Sequence, residues 1–264
     1  MKEYALITGA SSGIGLEYAR QLAAKGWNII VVSNKDEENR KAAAELKSAY
    51  GVEALPVYLD LTDDCAAEFL FDYVNEHRLD VEILVNNAGM LLFNQLDRTN
   101  PDRLGTIVKL HCLTPTKLCR LFAPVMKQKG HGYILIMSSI TAWTPFPTIS
   151  HYAATKAYLK SFGQSLWYEM KDYGVGVTTV FPSAVDTPLY NLDPKLRKKF
   201  RRLGVMQSAE SLARRGLKCM FSRKRKCVPG LLTKIEAVGC WILPSWICSL
   251  VFRLPVIKRI LAKV

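Results

Sequence analysis

The sequence predicts an α/β fold, a doubly wound parallel sheet with helices on both faces, and three observations predict it. Short apolar runs alternate with helical patterns from the N-terminus to about residue 181. The first run leads through a glycine-rich turn directly into a helix. A length of 264 residues, 49% of them hydrophobic, suffices to bury one large core.

Tyr4-Ala5-Leu6-Ile7 reads as a buried strand, and Thr8-Gly9-Ala10-Ser11-Ser12-Gly13-Ile14-Gly15 as the turn opening the first helix. Strands are then expected at Trp27–Ser33, Glu53–Leu59, Glu82–Asn86, Gly132–Ser138 and Val175–Phe181. Helices are expected at Glu37–Tyr50, Asp63–Arg78, Pro101–Lys129 and residues 151–173. The chain shows no internal repeat or low-complexity segment, so one domain over 1–236 and an amphipathic extension over 237–264 are expected.

The turn and the last helix both carry chemistry. Glycines permit a tight turn and a close backbone approach to a pyrophosphate, which rests on the free N–H groups of the helix that follows. In the helix over 151–173, Tyr152 and Lys156 lie four apart and share a face with one another. An ammonium beside a phenol favours the phenolate. A free tyrosine titrates near ~10, so acid/base work at neutral pH asks for a shift of roughly three units, about 4 kcal/mol. A nearby lysine and the positive ring of an oxidised nicotinamide in a partly dry pocket would supply it. Ser139, thirteen residues before Tyr152 and just past the run Tyr133–Ser138, completes a hydride-transfer site.

These motifs together resemble the short-chain dehydrogenase/reductase family, of the ketoreductase or hydroxysteroid dehydrogenase type, over residues 3 to 190. The resemblance rests on the turn from Thr8 to Gly15, Asp60-Leu61, Asn86-Asn87-Ala88-Gly89, Ser139 with Tyr152 and Lys156, and Pro182…Thr187, all in order. It implies a Rossmann-type sheet and roles for three residues: Ser139 polarises the substrate carbonyl, Tyr152 moves the proton, and Lys156 holds the nicotinamide ribose while lowering the tyrosine's pKa. It implies cofactor contacts from Thr8, Gly9, Ser11, Ser12, Gly13, Ile14 and Gly15. Further contacts would come from Ser33, Asn34, Lys35, Asp60, Leu61, Asn87, Ala88, Gly89, Tyr152, Lys156, Pro182, Val185 and Thr187. A homodimer or homotetramer is expected. Where the family usually carries an asparagine that helps hold a water near the lysine, counting back from Pro124 gives His111. The ring either keeps a proton relay going or simply packs, and both readings stand. Pro182-Ser183 replaces the usual Pro-Gly, a change of turn rather than of chemistry.

An acid at the end of the second strand would grip the adenosine ribose of NAD and repel a 2′-phosphate. Ser33-Asn34-Lys35 contains none, so NADP is expected, with NAD as the alternative. Asp36 and Glu37 come later and are read as first-turn helix stabilisers. Seven scattered cysteines without a C-x-x-C pair, and four histidines that form no cluster with them, fit a reduced, cytoplasmic protein without a metal site. Met1-Lys2-Glu3 leads straight into the first strand, so no signal peptide is expected.

Charge is concentrated at one end. From Lys195 onward there are 18 Lys/Arg against only Glu210 and Glu236, while the whole chain carries +13. An anionic partner is expected there, a membrane surface, an acidic carrier protein or a CoA-type phosphate before nucleic acid, because the clusters show little aromatic interleaving. Ala237–Phe252 runs sixteen residues without a charge. As a helix it would reach about 24 Å, short of a roughly 30 Å hydrocarbon core, and Pro244 interrupts it. Peripheral attachment is expected, with Trp241, Trp246 and Phe252 at headgroup depth; a lid or subunit contact is the alternative.

The expected function is an NADP(H)-dependent carbonyl reductase or alcohol dehydrogenase for a lipophilic substrate: a long-chain 3-keto lipid, a 3-ketosphinganine-like compound, a ketoacyl thioester or a steroid. The substrate pocket would be built largely from residues 90–100, 140–150 and 187–230. The alternative is a non-catalytic dinucleotide-binding sensor or scaffold.

Overall fold

The computed structural model describes residues 3–92, 94–143, 148–187, 206–230, 233–235 and 238–239. Their core is a sheet whose strands are β1 (Tyr4–Thr8), β2 (Asn28–Ser33), β3 (Ala54–Tyr58), β4 (Val81–Asn86), β5 (Gly132–Met137), β6 (Val175–Val180) and β9 (Lys226–Cys227). The order is β3-β2-β1-β4-β5-β6-β9, and every pairing is parallel. Each residue of β1, β2 and β6 is buried, which explains why these strands are continuous apolar runs rather than alternating ones. Two further short strands, β7 (Val185–Asp186) and β8 (Gln207–Ser208), pair beside the main sheet.

Helices α1 (Gly13–Ala23), α2 (Asp36–Tyr50) and α7 (Ala209–Phe221) cover one face, where Tyr18, Leu22, Leu46 and Leu212 meet Ile7, Ile29 and Val31. Helices α3 (Ala66–Glu76), α5 (Thr114–Lys129) and α6 (Ser150–Met170) cover the other, packing Leu70, Phe122 and Leu159 on Leu6, Leu84 and Ile134. Because the chain moves outward from β1 in both directions, a crevice opens between the carboxyl ends of β1 and β4, the switch point of the sheet. Every predicted strand is present to within a residue or so at its ends.

The helix expected over Pro101–Lys129 is a correction. It is α4 (Pro101–Val108), a π-helical segment at Lys109–Leu113 and then α5. The Thr114 N–H donates to the carbonyl of Lys109, five residues back, and Pro115 has no N–H with which to continue the ordinary ladder. His111 sits at the centre of this bulge, pushed towards the crevice. The extension expected over 237–264, apart from residues 238–239, and the whole of 188–205 lie outside the described residues.

Candidate active site

The crevice holds a cavity of about 570 Å³ that runs from the glycine turn, past the ends of β2 and β4, to the first turn of α6. Ser139, Tyr152 and Lys156 all line it, as do His111 and the residues Pro182, Val185 and Thr187 after β6. Gly9, Ser11, Ser12, Gly13 and Ile14 line one end together with Ser33, Asn34, Lys35, Asp60 and Leu61; Asn87, Ala88 and Gly89 lie between.

Tyr152 and Lys156 share a face of α6, with the Lys156 ammonium 5.5 Å from the centre of the Tyr152 ring. Lys156 is 5% exposed and donates to the Met137 carbonyl at 3.0 Å. Burial pushes its pKa down to about 8. Ser138 donates its hydroxyl to the Lys156 carbonyl at 2.7 Å, tying the end of β5 to the turn that carries the lysine. Ser139, next in sequence, caps a short 3-10 turn, its oxygen accepting the Thr141 N–H at 3.2 Å.

Thr8 and Gly15, expected at the cofactor, are not lining residues but build the turn that is. The Thr8 hydroxyl donates to the Val85 carbonyl and accepts the N–H groups of Asn87 and Ala88, both at 3.0 Å, which locks β1 to the end of β4. The Asn87 amide donates to the Thr8 carbonyl at 3.0 Å. A Cβ on Gly15 would collide with the Gly9 carbonyl oxygen and the Asn87 amide, so this position has room for hydrogen only.

His111 is 1% exposed, and both ring nitrogens are engaged. Nε2 accepts the Met90 N–H at 3.0 Å, so the ring proton is on Nδ1, which donates to Thr155 Oγ1 at 2.9 Å. Burial first, then the charges of Lys156 and His151, hold its pKa well below the ordinary imidazole range. Both ring nitrogens are thus engaged by the protein's own groups, an arrangement that accords with the packing reading of the side chain.

At the other end, Ser33 donates to Asn39 Oδ1 at 2.7 Å, while the Asn39 amide donates to the carbonyls of Ser33 and Val57 at 3.0 and 2.9 Å. Asn39 is fully buried and was missed in the sequence, although it shares a helix face with Ala42, Ala43 and Leu46. Met90, within the stretch 90–100 expected to shape the pocket, lines the cavity; Thr106 and Leu110, on α4 and the bulge that carries His111, line it without having been anticipated. Asp36 pairs with Arg40 at 3.0 Å, consistent with its helix-stabilising reading.

A dinucleotide fits these residues on two counts. Ser12, the N-cap of α1, makes no side-chain capping bond, which leaves the N–H groups of the first turn for an anion. The Thr187 hydroxyl is buried at the cavity wall without a hydrogen-bond partner among the described residues, a polar group that a ligand would satisfy.

A family model described as short chain dehydrogenase matches residues 3–195. The very-long-chain 3-oxoacyl-CoA reductase of Neurospora crassa is 36% identical over 194 residues, 70% of this chain and 57% of that protein. The protein of the same name from Bos taurus is 31% identical over 251 residues, 93% of this chain and 77% of that one. The chain thus spans little more than half the length of the fungal relative. A short-chain dehydrogenase from Sphingobium yanoikuyae, solved in complex with NADPH, superimposes with a TM-score of 0.78 over 96% of both chains at 25% identity. With its parallel sheet, glycine turn and Ser139–Tyr152–Lys156 cavity in place, the chain belongs to the short-chain dehydrogenase family.

Proposed function

We propose that this protein is an NADP(H)-dependent reductase of a lipophilic ketone, with a long-chain 3-oxoacyl thioester as the first substrate to test. The observation that carries the reading is the convergence of Ser139, Tyr152 and Lys156 on one cavity whose far end is an uncapped helix N-terminus. The nicotinamide, when bound, supplies the hydride. The Ser139 hydroxyl, whose oxygen already accepts the Thr141 N–H, retains its proton to donate to the substrate carbonyl. Tyr152 gives a proton to that oxygen as negative charge develops on it, and the Lys156 ammonium stabilises the phenolate left behind. One of the three ammonium donors is spent on Met137, which leaves two for the ribose and the proton path. The names of the Neurospora crassa and Bos taurus relatives favour an acyl thioester among the lipophilic ketones. NADPH oxidation against a panel of 3-oxoacyl thioesters, steroids and simple ketones tests the reading; no turnover with any of them would favour the sensor or scaffold alternative.

NADP rather than NAD follows from the loop after β2 and accords with the NADPH complex of the Sphingobium yanoikuyae relative. Ser33→Asp is expected to shift the ratio of kcat/KM values towards NAD by about 10–100-fold. Asn39 is held by two carbonyls and keeps its own oxygen facing position 33, so a new carboxylate would turn from it into the cavity, where a 2′-phosphate would sit. Wild-type enzyme that already prefers NAD tenfold would overturn this reading of the loop.

Attachment to an anionic membrane is part of the same proposal. Among the described residues no helix is long and apolar enough to cross a bilayer. Arg225 lies 5.7 and 5.0 Å over the rings of Trp167 and Tyr168, and Lys171 lies 5.5 and 5.8 Å from the same rings. That face pairs cations with aromatic rings, the composition of an interfacial surface. Flotation with anionic vesicles is expected to recover the protein in the lipid fraction, more weakly with added salt; equal recovery with neutral vesicles would contradict it. The exposed apolar side chains of Val108, Leu113 and Tyr158 support a homodimer or homotetramer.

A further inference from the structure

We propose that His111 is a positioning residue for the proton-transfer step: in its neutral Nδ1–H form it clamps the backbone after β4 to α6 and fixes where the Tyr152 phenol stands. The inference rests on the reductase reading above and adds a residue to it. Three segments meet at this one ring. Nε2 holds the N–H of Met90, the residue after Asn86-Asn87-Ala88-Gly89. Nδ1–H holds Thr155 Oγ1, and that hydroxyl in turn donates to the Tyr152 carbonyl at 2.8 Å. The ring also stands edge-on to the Tyr152 ring, with centroids 5.6 Å apart and planes at 76°.

The direction of each hydrogen bond is fixed. A backbone N–H only donates, so Nε2 must accept; Thr155 spends its proton on Tyr152, so its oxygen must accept from Nδ1. A protonated imidazolium would face Met90 donor to donor and break the chain of bonds. Gly89 shows how tight the fit is, since a Cβ there would stand 2.9 Å from Nε2. The π bulge makes the contact, because it carries His111 inward while α4 and α5 continue on either side. Both ring nitrogens are engaged by Met90 and Thr155, so the effect on chemistry runs through Tyr152.

Three replacements separate the two halves of the clamp. In reach, the amide of His111→Asn mimics Nδ1 and keeps the Thr155 bond, that of His111→Gln mimics Nε2 and keeps the Met90 bond, and His111→Phe keeps the shape and neither bond. With full-length enzyme and a reducible 3-oxoacyl thioester, His111→Phe is expected to lose about 100-fold in kcat, Asn and Gln less. The Kd for NADPH, read by fluorescence, is expected to change less than about threefold. The pH at which kcat falls is expected to stay where it is in the wild type, because the imidazole passes no proton itself.

A second readout needs no turnover. In full-length wild-type protein labelled with ¹⁵N-histidine, long-range ¹H–¹⁵N spectra are expected to show one ring as a neutral Nδ1–H species that does not titrate between about pH 6 and 8. Its signals should vanish in His111→Phe or, if that variant fails to fold, in His111→Asn. A His111 ring that titrates near its ordinary pKa, or that carries its proton on Nε2, would overturn the clamp. So would a folded His111→Phe enzyme within about threefold of wild-type kcat. Wild-type protein without reductase activity but with the neutral Nδ1–H ring would overturn the reductase reading and leave the clamp as fold architecture.

Discussion

Tyr152→Phe is expected to lower kcat by about 10²–10⁴-fold while leaving KM and the Kd for NADPH nearly unchanged. The substitution removes one oxygen from a half-buried ring and leaves the edge-on packing against His111 intact, so the fold and the cavity keep their shape. What is lost is the proton delivered to the substrate oxygen as the hydride arrives. Steady-state kinetics with the same ketone for both proteins checks it. Undiminished turnover would sink the mechanism, because Tyr152 is the one tyrosine among the described residues that line the cavity.

Lys156→Met is expected to abolish turnover and, unusually for a buried position, to stabilise the ligand-free protein at pH 7. Burial lowers the Lys156 pKa from 10.5 to about 8, so the folded chain gives up that proton well before the unfolded chain does. Below pH 8 both states hold the proton, and folding bears the full cost of burying a cation. Between pH 8 and 10.5 the unfolded state binds more protons, so this contribution makes wild-type stability rise with pH. Removing the ammonium should therefore add on the order of 2 kcal/mol at neutral pH, after allowing for the hydrogen bond lost at Met137. The gain should fade as the pH approaches 10.5, the lysine's ordinary value. Urea denaturation of both proteins at pH 7 and in the alkaline range measures it. A variant less stable than wild type at pH 7 would mean that the cavity solvates the ammonium far better than its burial implies.

The parallel sheet was legible because its strands are buried on both faces and so appear as uninterrupted apolar runs. Tyr4–Ile7 was expected where Tyr4–Thr8 is found, and Val175–Phe181 where Val175–Val180 is found. The edge strand Lys226–Cys227 was not legible, since two residues inside a basic cluster carry no periodicity; the backbone of β6 makes it a strand. The interruption at Lys109–Leu113 was hidden because the apolar spacing persists across it, although Pro115 was in plain view.

The site divides the same way. Ser139, Tyr152, Lys156 and the glycine turn could be named from spacing and resemblance because their chemistry requires those residue types in that order. Asn39 could not be assigned a role, because its partners Ser33 and Val57 come from two strands that only the folded sheet brings together. His111 was located, but its function depends on which nitrogen faces Met90, a fact of tertiary geometry. Thr8 and Gly15, which the motif assigns to the cofactor, stand behind the lining of the cavity, where they hold the glycine turn in shape.

The most direct measurement is isotopic. Full-length protein is incubated with NADPH carrying deuterium on both hydrogens of the nicotinamide C4 and a long-chain 3-oxoacyl thioester, and the product is analysed by mass spectrometry. The expected result is a 3-hydroxyacyl thioester with one deuterium at C3, formed in equal amount to the NADPH consumed, and its absence with Tyr152→Phe over the same time. A product without deuterium at C3, or a Tyr152→Phe protein that forms the labelled product at the wild-type rate, would contradict hydride transfer at the Ser139–Tyr152–Lys156 site.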